Sequence, residues 1–91
     1  MAQVVISLRI MPGGIDTNLE LLKEEIWKVI EGFIGNSEIR VEKKPVAFGL
    51  NSLNFVFSMD EGKNLEELEE GIKALGDVSS VEVADMRRAI G

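Results

Sequence analysis

The chain has 91 residues, 45% of them hydrophobic, a formal net charge of −6, and neither cysteine nor histidine. That length sets a single domain over residues 1–91, with a thin core that buries roughly 60–65% of the unfolded surface. The missing residue types exclude disulfides, a thiolate nucleophile, Cys-ligated zinc and the usual neutral-pH base, and the acidic balance argues against a general nucleic-acid binder.

Val4, Ile6, Leu8 and Ile10 alternate with Val5, Ser7 and Arg9, the period of two of a half-buried strand. Met11-Pro12-Gly13-Gly14 is expected to end it in a turn. Thr17 with Glu20 can form a capping box, with Asp16 and Asn18 as competing caps. Leu19, Leu22, Ile26, Val29, Ile30 and Phe33 then recur every three or four residues and predict a helix with one apolar face, its end bracketed by Gly32 and Gly35. Ile39 and Val41 alternate with Glu38, Arg40 and Glu42, as in an edge strand with a charged outer face. Beyond the Pro45–Gly49 connection, Leu53, Phe55 and Phe57 alternate with Ser52, Asn54, Val56 and Ser58. That third strand is expected to be central, because neither of its faces carries charge. Asp60-Glu61-Gly62 reads as a turn. Asn64 and Glu67 offer a second capping box ahead of Leu65, Leu68, Ile72 and Leu75, another helical repeat closed by Gly76. Val78, Val81 and Val83 open a fourth strand running to about Arg87.

The order is strand–helix–strand, twice. Right-handed crossovers interleave the two units, with both helices on one sheet face. The predicted fold is α+β, a ferredoxin-like βαββαβ sandwich with a four-stranded antiparallel sheet in the order 4-1-3-2. Ile6, Leu8, Ile26, Leu53, Phe55, Leu68, Ile72 and Val83 are expected inside. Strands 1 and 2 run one way and strands 3 and 4 the other. The Phe48-Gly49 connection and the C-terminal arginines therefore lie at opposite ends, roughly 25 Å apart at about 3.3 Å per residue.

Few residues offer chemistry. Arg87 and Arg88 are either a solvated chain end or a cationic probe able to meet phosphates or carboxylates, and strand alternation points them to different faces. Phe48 beside Gly49 is either a core aromatic next to a turn glycine or an exposed docking anchor. Gly13-Gly14 lacks the rest of a phosphate loop, and Asp60-Glu61 lacks the spaced carboxylates of a calcium loop. Trp27 reads as a half-buried flank residue. Met11, Met59 and Met86 are spaced too irregularly for a recognition stripe. The Glu66–Glu70 run reads as a solvated helix face. No catalytic set, metal site or cofactor site is expected. No stretch is apolar enough to span a membrane, and Met1-Ala2-Gln3 does not open a signal peptide, so a soluble, cytoplasmic chain is expected.

Pro45-Val46-Ala47-Phe48-Gly49-Leu50 followed by Leu53-Asn54, together with Val81-Glu82-Val83-Ala84-Asp85-Met86-Arg87-Arg88, resembles the archaeal elongation factor 1-beta family. Met11-Pro12 and the first-helix run Leu19-Glu20-Leu21-Leu22-Lys23-Glu24 fit it too, so the resemblance covers essentially the whole chain. It implies a guanine-nucleotide exchange factor for the GTPase elongation factor 1-alpha, with the ferredoxin-like fold already argued. It also implies the exchange domain alone, without the assembly regions that eukaryotic relatives carry ahead of it.

The implied exchange and docking residues are Met86, Arg87 and Arg88 at the chain end and Ala47, Phe48 and Gly49 in mid-chain. Arg88 matches a lysine that in eukaryotic relatives enters the magnesium and phosphate region of the GTPase. Phe48 matches an aromatic that contacts the second domain of the partner. Arginine in place of lysine keeps the charge but changes shape and reach, and Ala89-Ile90-Gly91 lengthen the inserting end. The factor needs no bond chemistry of its own, no direct nucleic acid and no membrane, and is expected to be monomeric when free. The competing reading is a ferredoxin-like regulatory or ligand-binding module acting as a dimer, which would need a polar cluster between subunits. An RNA-recognition module would need paired aromatics on the open sheet face. An acylphosphatase-type enzyme would need an arginine within Met11–Asp16, where there is none.

Overall fold

The computed structural model describes residues 3–35 and 38–88. Four strands, β1 (Gln3–Pro12), β2 (Ile39–Pro45), β3 (Asn51–Asp60) and β4 (Val78–Arg88), are joined through two helices, α1 (Leu19–Ile34) and α2 (Leu65–Lys73). They form one antiparallel sheet in the order β2-β3-β1-β4. Read from the other edge, this is the predicted 4-1-3-2 arrangement of a ferredoxin-like fold.

Alternation decides the core. Val4, Ile6, Leu8 and Ile10 of β1 lie opposite Met59, Phe57, Phe55 and Leu53 of β3, and all eight are buried. Directly opposed residues share a sheet face, so one continuous apolar surface forms. Leu22, Ile26 and Ile30 of α1 and Leu68 and Ile72 of α2 close over it. Phe55 and Phe57 thus lie beneath the helices, which removes the basis of the RNA-recognition reading. Trp27 packs half-buried against the core margin, as expected.

Both helices start on asparagine. Asn18 accepts the Leu21 N–H, and Asn64 accepts the Glu66 N–H. Each satisfies one of the amide donors a helix start leaves unpaired. Asn18 therefore wins over Thr17, whose hydroxyl instead accepts from the Gly14 N–H at 3.2 Å within the preceding turn. Gly35, at φ +83°, ends α1. Helix α2 ends at Lys73 with Ala74 as its C-cap, and Gly76, expected to close it, falls in the following turn.

Two further expectations are corrected. Met11 and Pro12 extend β1 and do not turn away from it, since a proline at the last strand position forfeits no needed donor. Val83, expected inside, is 38% exposed. It faces the helix side opposite Leu8, but β4 is an edge strand with no neighbour on its outer flank.

Candidate partner-docking site

The β2–β3 hairpin turns at Ala47–Gly49. Phe48 adopts φ +63° and ψ +30°, Gly49 adopts φ +76°, and the Leu50 N–H reaches the Ala47 carbonyl at 3.4 Å. Two successive positive φ angles under such a bond mark a type I′ turn, whose twist suits a hairpin and whose usual occupants are Asn, Asp and Gly. Phenylalanine at its first central position is strained, because the side chain of an L-residue crowds the following carbonyl there. The ring gains no packing in return: Phe48 is 94% exposed, and Ala47 and Gly49 beside it are exposed as well. Backbone strain on a solvated aromatic makes Phe48 a candidate contact residue.

The other end is built by β4. Its pairing with β1 slips by one residue between Ser7 and Leu8, leaving Ala84 as the extra residue of a bulge. The slip changes which residues face the helices. Beyond it, Met86 lies opposite Ile6 and Arg88 opposite Val4, both on the helix side, whereas Asp85 and Arg87 face the open side. The two arginines do point apart, as alternation predicted, and each has its own partner. Arg87 Nε lies 2.9 Å from Asp85 Oδ2, and Arg88 Nη2 lies 3.2 Å from Glu61 Oε2. Met86 is 53% exposed and, with Val4, Met59 and Leu65, forms the apolar floor of a cleft of about 530 Å³ rimmed by Glu61, Lys63 and Arg88.

Val4, beside Arg88, and Pro12 are eight residue steps apart along β1, and the Phe48 turn lies beyond the level of Pro12 and Asn51, which sets the two ends more than about 26 Å apart. Phe48 and Arg88 are therefore not brought together, and no single pocket holds them. Glu61, read from sequence only as a turn residue, is the contact that the chain order hides. Its signal lies in the topology: β3 and β4 run parallel on either side of β1, so the residues just past their ends converge.

The open sheet face mixes polar side chains with Val5 and Val56. Ser7, Asn54 and Val56 line it, between an Arg9–Glu82 ion pair at 2.8 Å and the Arg87–Asp85 pair. Among the described residues no helix is long and apolar enough to cross a membrane.

Residues 5–89 match the EF-1 guanine nucleotide exchange domain. The chain is 40% identical over 90 residues to elongation factor 1-beta of Methanobrevibacter smithii, covering 97% of this chain and 98% of that protein. It is 39% identical over 83 residues to elongation factor 1-beta of Pyrococcus horikoshii, covering 89% of each. Among solved structures, the fold resembles a de novo designed protein, Foldit4 (TM-score 0.63, 22% identity, 98% of each chain). It also resembles the ACT domain from GTP pyrophosphokinase of Chlorobium tepidum (TM-score 0.63, 21% identity, 89% of this chain and 97% of that one).

Proposed function

The chain belongs to the EF-1 guanine nucleotide exchange domain family, and from that premise we propose how its two exposed ends act on a GTPase. It is a guanine nucleotide exchange factor for elongation factor 1-alpha, promoting GDP release during translation elongation. Such a factor breaks no bond. It binds the nucleotide-free GTPase more tightly than the GDP-bound form, and reciprocity requires it to weaken GDP binding by the same factor. In this reading it acts as a cytoplasmic monomer, without metal, cofactor, nucleic acid or membrane.

Phe48 docks against the second domain of the partner, on a turn shaped by Ala47 and Gly49. Arg88, with Met86 beside it and Arg87 on the opposite face, brings a cation to the region where magnesium and the phosphate-binding loop hold the nucleotide electrostatically. The observation that carries this reading is the Phe48 turn. An aromatic 94% exposed on left-handed backbone has no structural use in the free protein, whereas buried aromatics dominate binding energy at interfaces.

Stopped-flow release of labelled GDP at saturating factor tests the cationic end. Arg88→Ala should slow release about tenfold or more, the scale for truncating a desolvated interfacial charge. Arg88→Lys should keep appreciable activity because the charge remains, and Arg87→Ala should matter less because that side chain faces away. A rate for Arg88→Ala equal to wild type would refute the inserting role.

A further inference from the structure

We infer that Glu61 is a positioning residue for Arg88, holding its guanidinium in the free protein and releasing it when Arg88 enters the partner. The inference rests on the inserting role proposed for Arg88. Glu61 is the first residue past β3 and Arg88 the last of β4, and their side chains meet at 3.2 Å. The turn presenting Glu61 is pinned by Asp60, whose Oδ1 accepts the Gly62 N–H at 2.8 Å and whose carbonyl accepts the Lys63 N–H at 3.1 Å. Lys63, the other cation on this cleft, is engaged elsewhere: its ammonium donates to the Phe33 carbonyl and sits 5.2 Å from the centre of the Phe33 ring. Arg87 is turned to the far face and paired with Asp85.

The Glu61–Arg88 pair is solvated, with side-chain exposures of 41% and 74%. An exchange of this strength biases Arg88 without locking it. When the guanidinium moves into the nucleotide site, Glu61 loses its partner. That loss opposes the complex and gives Arg88 a place to return when fresh nucleotide enters. Glu61 thereby trades affinity for release.

The test is the affinity and dissociation rate of nucleotide-free elongation factor 1-alpha with wild type, Glu61→Gln, Glu61→Asp, Arg88→Ala and the Glu61→Gln/Arg88→Ala double variant. Glu61→Gln should bind about two- to fivefold tighter and dissociate more slowly. The gain should shrink at high salt as the charges are screened. Glu61→Asp, which keeps the carboxylate, should stay nearer wild type. In the Arg88→Ala background Glu61→Gln should change nothing. Unchanged or weaker binding by Glu61→Gln overturns the inference. So does the same gain in the Arg88→Ala background, which would make Glu61 a general surface charge. Wild-type GDP release by Arg88→Ala would instead defeat the inserting role itself, so the two failures are told apart.

Discussion

In its proposed docking role, Phe48 sets stability against recognition within one residue. Asparagine tolerates left-handed backbone, and Asn-Gly is the favoured pair for this turn. Phe48→Asn should therefore raise unfolding free energy by about 0.5–1 kcal/mol, by relief of side-chain crowding, while weakening partner binding by about 1–3 kcal/mol through loss of the anchor. Denaturant unfolding and titration against the partner measure the two effects separately. A stability loss would mean that the ring supports the fold. Gly49→Ala, at φ +76°, should cost stability with the aromatic intact. The sequence made Phe48 a candidate anchor through its place between Pro45 and Gly49. It did not disclose the left-handed backbone, because turn preferences assign positive φ to Asn and Gly and are silent about Phe.

Strand β4 is where reading the chain by period was least informative. Both helices, the central place of β3 and the charged edge of β2 followed from apolar spacing, since each of those elements buries a regular face. On β4 the valines continue the same alternation, yet only Val81 is fully covered, at 9% exposure against 38% for Val83. Nothing in residue type marks the bulge, because Ala84 is neither glycine nor proline. Without that slip, simple alternation from Val83 would turn Arg87, and not Arg88, toward the helices. The energetic counterpart is that Val81→Ala should cost about 2 kcal/mol, two buried carbons at about 0.8 kcal/mol each plus residual cavity. Val83→Ala should cost under about 1 kcal/mol, and equilibrium unfolding of the pair measures the difference. Equal losses would mean that the outer flank of β4 is covered in solution.

Across the whole molecule, the two ends are joined by a hydrogen-bonded sheet and, among the described residues, share no contacts. Sites this far apart perturb binding independently, so the Phe48→Ala and Arg88→Ala losses should add to within about 0.5 kcal/mol. At saturating factor, only Arg88→Ala should slow GDP release. A rate defect in Phe48→Ala that saturation does not rescue would show that the turn also shapes the nucleotide end. That the ends are opposed was legible from strand order alone, because an interleaved twofold unit leaves no other arrangement of β2 and β4. The span between them is then a dimension of the molecule, as the gap of a caliper is. Lengthening β2 and β3 by two residues each at the hairpin would leave every side chain on its own face and both Phe48 and Arg88 intact. It would also move the jaws about 7 Å further apart. A partner of fixed shape could then be gripped at either jaw but not at both, and the added strength of simultaneous grip would vanish.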